Sequence, residues 1–135
     1  MPRHPAATLI AAVLTTDALL HLYWATGQTW PAASEQSLSY AVLGADVPFT
    51  PPILIPLATL LLTASALVLA GSRPGTLAVA AGLSLRTLAG VYWLFAKETD
   101  TAFYWLNLGL YTPLCAILCA AAVRVARREE AVRVR

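Results

Sequence analysis

Charge is what this sequence has least of. Asp, Glu, Lys and Arg together make up 12% of the 135 residues, where a soluble domain carries about 25%. A water-facing surface over most of the chain is thereby excluded. Cysteine is scarce as well. The two present, Cys115 and Cys119, stand four apart in one apolar run. Thiols on one helical turn do not readily bridge, and two alone make a poor metal site, so they read as small packing residues. There is no glycine-rich phosphate loop, no H-E-x-x-H and no paired cysteine–histidine spacing. One buried histidine and one aspartate are too few for a metal, and haem would need a second axial histidine. No cofactor or metal is expected. Sequence repeats and low-complexity tracts are absent too.

What fills the chain is apolar, 59% of it. A membrane span takes roughly 20 mainly apolar residues. Four segments qualify: 6–26, 52–70, 76–97 and 102–123. They use nearly the whole length and leave no soluble domain. The expected fold is all-α, one four-helix transmembrane bundle running up-down-up-down. The first span contains Asp17 and no small-residue cleavage site follows it, so it reads as a retained helix rather than a secretion signal.

Between spans two and three, "GSRPG" (71–75) makes a tight turn and predicts an antiparallel hairpin; "KETDT" (97–101) plays the same part between spans three and four. Residues 27–50 are too long and too apolar for a free loop, with Trp30, Leu38, Tyr40, Val42, Leu43 and Phe49 among them. A lid over the outer mouth is expected, with Ser34 capping a short helix through Leu43. Pro113 predicts a loosened backbone near Tyr111.

Charge then orients the bundle. Arg3, Arg73, Arg124, Arg127, Arg128, Arg133 and Arg135 fall on the side of the termini. The other side has Lys97 with Glu35, Asp46, Glu98 and Asp100. Both termini are therefore expected in the cytoplasm, with the chain in a bacterial cytoplasmic membrane. The net charge of +2 reflects mostly residues 124–135, read as a solvated basic tail facing lipid headgroups rather than nucleic acid. Faces rich in Ala, Gly and Thr leave a homo-oligomer open.

Inside the spans stand four strongly polar residues: Asp17, His21, Arg86 and Asn107. Such groups are costly in hydrocarbon and turn toward the bundle interior. Asp17, His21 and Trp24 share one helical stripe; Gly82, Arg86, Gly90 and Trp93 share another; Tyr104, Asn107 and Tyr111 a third. Aromatic residues, Tyr23 among them, crowd the outer half. Anchoring explains part of that crowd, and an aromatic-lined cavity explains the rest. Bland readings stand beside this one: Asp17 and Arg86 as an ion pair fixing helix register, His21 bonding a backbone carbonyl, Asn107 as interhelical glue.

The runs "HLYWATGQTW" (21–30) and "LYTPLCAIL" (110–118) resemble an uncharacterised family of small four-span membrane proteins common in actinobacteria. His21, Tyr23, Trp24, Ala25 and Gly27 match its first motif, and Tyr111, Pro113, Leu114 and Cys115 its second, with Thr112 in place of a serine. Asn107 stands where that family often has an acidic residue, and Asp17 looks like an addition. Proteins of this size and topology are similar to bacterial membrane-bound terpene cyclases. That implies an acid-initiated cyclisation of a prenylated or epoxidised prenyl substrate, an isomerase- or lyase-type step of terpenoid biosynthesis. Asp17 would be the acid and His21 its neighbour. Tyr23, Trp24, Trp93, Tyr104, Asn107 and Tyr111 would line the pocket and steady a carbocation. Arg86 would pair with Asp17, with Glu35 or Glu98, or with a polar end of the substrate. Two other classes fit the same residues: a non-catalytic lipid- or partner-binding membrane protein, and a proton shuttle like that of a sterol isomerase.

Overall fold

The computed structural model describes residues 4–135, so Arg3 of the basic side lies outside the described residues. The chain forms α1 (Pro5–Ala25), α2 (Glu35–Leu43), α3 (Pro51–Leu69), α4 (Arg73–Ala96) and α5 (Ala102–Leu106). A π-helical segment, Asn107–Tyr111, then leads without a break into α6 (Thr112–Arg133). No strand occurs among the described residues. Among the described residues, four helical runs are long and apolar enough to cross a membrane: Pro5–Ala25, Pro51–Leu69, Arg73–Ala96 and Ala102–Arg133.

Local chemistry sets the helix starts. Proline opens α1, α3 and α4, where its missing N–H would have had no helical partner. Ser72 accepts a hydrogen bond from the Gly75 N–H, and Thr101 accepts one from Tyr104. The turn into α4 passes through Gly71 at φ 67°, a left-handed conformation that favours glycine.

Of the two expected hairpins, the one between α4 and α6 packs fully and the one between α3 and α4 does not. α3 and α4 are joined by the predicted tight turn but touch thinly; α1 lies mainly on α3, and α4 mainly on α6. Lipid tails are as apolar as leucine, so polar and small groups decide which helices associate. Ser65 of α3 meets Thr15 at 2.9 Å and donates to the Ala11 carbonyl of α1. Ser84 of α4 meets Cys119 of α6 at 3.1 Å. Gly90 is so close to α6 that a Cβ there would sit 2.0 Å from Thr112 Oγ1. Gly82, placed in the same stripe by its spacing, has open space around it.

Toward the termini the four long helices close on a shared core. Ala7, Ile10, Leu14, Val68, Ala80, Leu118, Ala122 and Val125 form it. Residues 124–133 are not a free tail. They continue α6 as helix, bury Val125 and Ala126, and are held by Arg73–Glu130 at 3.1 Å and by Thr76 on Glu129 at 3.4 Å. No helix breaker stands between Leu114 and Arg133, so the helix simply runs on past the apolar segment.

The opposite end carries a second, smaller core of Trp24, Leu38, Phe49 and Leu54. Here residues 27–50 make a stitched cap. Ser34 accepts from the Ser37 N–H to start α2, and Gly44 ends it at φ 66°. Ser39 donates to the Ala45 carbonyl and accepts from Val47, while Glu35 accepts from the Phe49 N–H at 2.8 Å. Leu38 packs this cap onto the α1–α3 pair. Two bonds fasten it to the other pair: Lys97 Nζ to the Gly44 carbonyl, 3.0 Å, and Tyr111 Oη to the Ala41 carbonyl, 3.3 Å.

Candidate functional site

On α1 the i, i+4, i+7 spacing stacks Asp17, His21 and Trp24. Trp24 is buried, its indole N–H donates to the Trp30 carbonyl at 2.9 Å, and its ring contacts both His21 and Phe49. His21 Nδ1 lies 2.8 Å from the Asp17 carbonyl and 3.3 Å from Asp17 Oδ1. A carbonyl and a carboxylate only accept, so the proton sits on Nδ1. Nε2 is left with no hydrogen-bond partner among the described residues. The His21 side chain is mostly enclosed, at 14% exposure, whereas that of Asp17 is 48% exposed.

Across the bundle, Asn107 is the centre of a second network. Its side chain is fully buried. Asn107 Oδ1 accepts from Arg86 Nη1 and Nη2, each at 3.3 Å, and from Thr112 Oγ1 at 3.0 Å. Its amide nitrogen donates to the Gly90 carbonyl at 2.8 Å. The π-helical turn makes this possible. It accommodates Pro113, whose ring would clash with the Gly109 carbonyl in a regular helix, and it brings Thr112 onto the face of Asn107, five residues back.

Arg86 sits about 20 Å along the helix axis from Arg73 and about 15 Å from Ala96, too deep for its stem to reach either end. Its guanidinium lies 5.0 Å from the Trp93 ring centre and 5.8 Å from that of Tyr111. A cation at such depth costs about 2.5–3.5 kcal/mol even on the mildest insertion scales, and aromatic faces offset part of that.

The ion pair between Asp17 and Arg86 does not form. Asp17 bonds His21 one turn along its own helix, and Arg86 bonds Asn107. Glu35 is no partner for Arg86 either, since it accepts from the cap backbone. The aromatic crowd divides by helical phase. Trp24 and Phe103 are buried, and Trp93, Tyr104 and Tyr111 are part-buried. Tyr23, Tyr92, Phe95 and Trp105 are exposed, as interfacial anchors are. Tyr23 thus points away from the interior, being two residues from His21 on a helix. Tyr104 packs edge-on against Trp105, and Trp93 against Phe103.

The residues that sequence reasoning passed over are Thr112 and the Ala41 carbonyl. The Thr112 bond depends on the π-turn, whose i, i+5 relation is invisible to a 3.6-residue period, and the Ala41 bond joins residues 70 apart in sequence. A cleft of about 590 Å³ also opens at the cap margin, lined by Tyr40, Gly44, Lys97 and Phe103 among others; none of the inward polar residues lines it.

Residues 14–122 match the model of a family described as "Protein of unknown function (DUF3995)". The chain belongs to the DUF3995 family. The matched region holds both networks, from Asp17 to Thr112, and leaves out His4 and the helical extension beyond Ala122. No curated protein and no solved structure matches this DUF3995 chain. Nothing in these results carries a likeness to terpene cyclases.

Proposed function

We propose that the protein is a membrane-embedded cyclase that starts ring closure of an epoxidised or prenylated substrate by protonating it. One observation supports the reading most. The Asp17–His21 pair leaves Nε2 of a mostly enclosed histidine without a protein partner, beside the Trp24 ring. With Nδ1–H held by Asp17, the transferable proton of an imidazolium is the one on Nε2, and the carboxylate steadies the charge until it leaves. His21 is then the donor and Asp17 holds it, which reverses the roles favoured by the sequence.

The acid narrows the substrate. An imidazolium is too weak to protonate an isolated alkene quickly, whereas an epoxide oxygen is basic and its strained ring opens as the proton arrives. The N–H bond breaks and O–H forms; the C–O bond opens, and the electrons of a neighbouring alkene form the new C–C bond. The resulting cation ends by giving a proton to a base, for which the now-neutral Nε2 of His21 is available, so the step is an isomerisation that consumes no oxidant. Trp93 and Tyr111 already lie over Arg86, so their remaining faces and the part-buried Tyr104 would steady the migrating charge. A prenyl chain reaches such a site from the bilayer.

The same proposal sets the protein in a bacterial cytoplasmic membrane with both termini in the cytoplasm, on the strength of Arg73 and the arginines of α6. Reporter fusions at each terminus test that orientation.

A second reading, a non-catalytic membrane protein, draws support from Asn107, whose bonds are those of interhelical glue. The test separates the two. Membranes containing the protein are incubated with linear farnesyl- and geranyl-type substrates and their terminal epoxides, and cyclic products are sought by mass spectrometry. The cyclase reading expects products from the epoxides, and a folded His21→Gln protein slower by about 10²- to 10⁴-fold. Asp17→Asn is expected to lower the rate while leaving some activity. No cyclic product from a folded wild-type protein would favour the non-catalytic reading.

A further inference from the structure

We infer that Arg86 is the anchor of a binding site for a lipophilic carboxylate. The inference goes beyond the cyclisation chemistry and stands whether or not the Asp17–His21 pair moves a proton.

The argument begins with charge. Arg86 is a permanent cation near the middle of a span, and no carboxylate among the described residues is within salt-bridge distance of it. Its polar contact within the protein is a neutral acceptor, Asn107 Oδ1, flanked by two aromatic faces. Intramembrane cations ordinarily pair with an anion or line a functional pathway. Asn107 is itself fixed by Gly90 and Thr112, so the guanidinium is held in one pose rather than left to swing.

Geometry then selects the ligand. Nη1 and Nη2 both turn to the one Asn107 oxygen, which occupies the end of the guanidinium. The side edge, Nε–H with the adjacent Nη–H, has no hydrogen-bond partner among the described residues. Two parallel N–H groups at that edge match the two oxygens of a carboxylate. The rings of Trp93 and Tyr111, 5.0 Å and 5.8 Å from the guanidinium carbon, form no hydrogen bond to that edge. A carboxylate also matches the single positive charge, whereas a phosphate dianion would leave an excess negative charge beside one cation. The rest of the ligand must be apolar, because the spans around the site are.

The full-length protein in a neutral maltoside detergent tests this with laurate, lauryl alcohol and lauryl phosphate, which share one tail. Binding is read by thermal shift and by tryptophan emission, with Trp93→Phe identifying the responding ring. Laurate is expected to bind at least tenfold tighter than the alcohol and tighter than the phosphate. A folded Arg86→Gln protein is expected to lose at least tenfold in laurate affinity and to bind the alcohol as before. Should Arg86→Gln fail to fold, the order of the three ligands on the wild-type protein still decides. Equal binding of alcohol and laurate, tighter binding of the phosphate, or unimpaired laurate binding by folded Arg86→Gln would each overturn the site. Because the readout is binding, Asp17→Asn and His21→Gln are expected to leave laurate affinity unchanged, so failure of the cyclase reading is distinguishable from failure of this one.

Discussion

The half of the bundle near the termini and the half beneath the cap are built on opposite plans. Near the termini, all four long helices give Ala, Ile, Leu and Val to one core. Beneath the cap, α1 and α3 share a small aromatic core while α4 and α6 are bonded through Arg86, Asn107, Gly90 and Thr112. A separate cap helix bridges the two pairs there. The lesson is physical. Close packing needs no charge and excludes ligands, while a network of polar groups keeps its stability only as long as each member has a partner.

The strongest way to break this contrast is Asn107→Leu. It removes the one acceptor that part-buried Arg86 has among the described residues, together with the amide bond to the Gly90 carbonyl, and its expected cost is about 3–5 kcal/mol by unfolding in mixed micelles. Adding Arg86→Leu should restore part of that loss; strict additivity would show the network to be no network. Next comes Leu118→Ala in the other half, with an expected loss of about 2–4 kcal/mol from the cavity it leaves. Hydrogen exchange should rise across all four helices for Leu118→Ala and mainly at the cap side for Asn107→Leu.

Gly90→Ala comes third. Its new methyl meets Thr112 and forces α4 from α6, at an expected cost of about 1–3 kcal/mol. Gly82→Ala, with open space around it, is the matched control and should be neutral or slightly stabilising by the same assay. The smallest effect belongs to Tyr111→Phe. It removes one bond to the cap, about 0.5–1.5 kcal/mol, and should appear as faster proteolysis or exchange within residues 35–50 rather than as a change in global stability.

Much of the frame was legible in residue order. Ser34 and Gly44 bracket α2 because a hydroxyl caps and a glycine accepts positive φ whatever surrounds them. Pro113 announced a disturbance near Tyr111 because a missing N–H acts within one turn. The i, i+4 pair Asp17–His21 followed from helical spacing alone. Partner choice between helices was legible for α4 and α6, joined by a short turn, but not for α1 and α3. Asp17 and Arg86 have opposite charges and similar depths, and only the packing of α1 on α3 and of α4 on α6 keeps them with other partners. Tyr23 and Trp24 are neighbours in sequence, yet about 100° of helical rotation exposes one and buries the other.

The sequence by itself determined four apolar helices, their turns, a short capped helix between the first two and a short inventory of polar groups that hydrocarbon would not leave alone. Those features are local, set by hydropathy, capping and proline chemistry within a few residues. Only the tertiary structure decided which polar group meets which. That choice depends on helix pairing, on a π-turn that moves Thr112 onto Asn107, and on a glycine that lets two backbones touch. The result is that Asp17 serves His21, and Arg86 keeps one edge free.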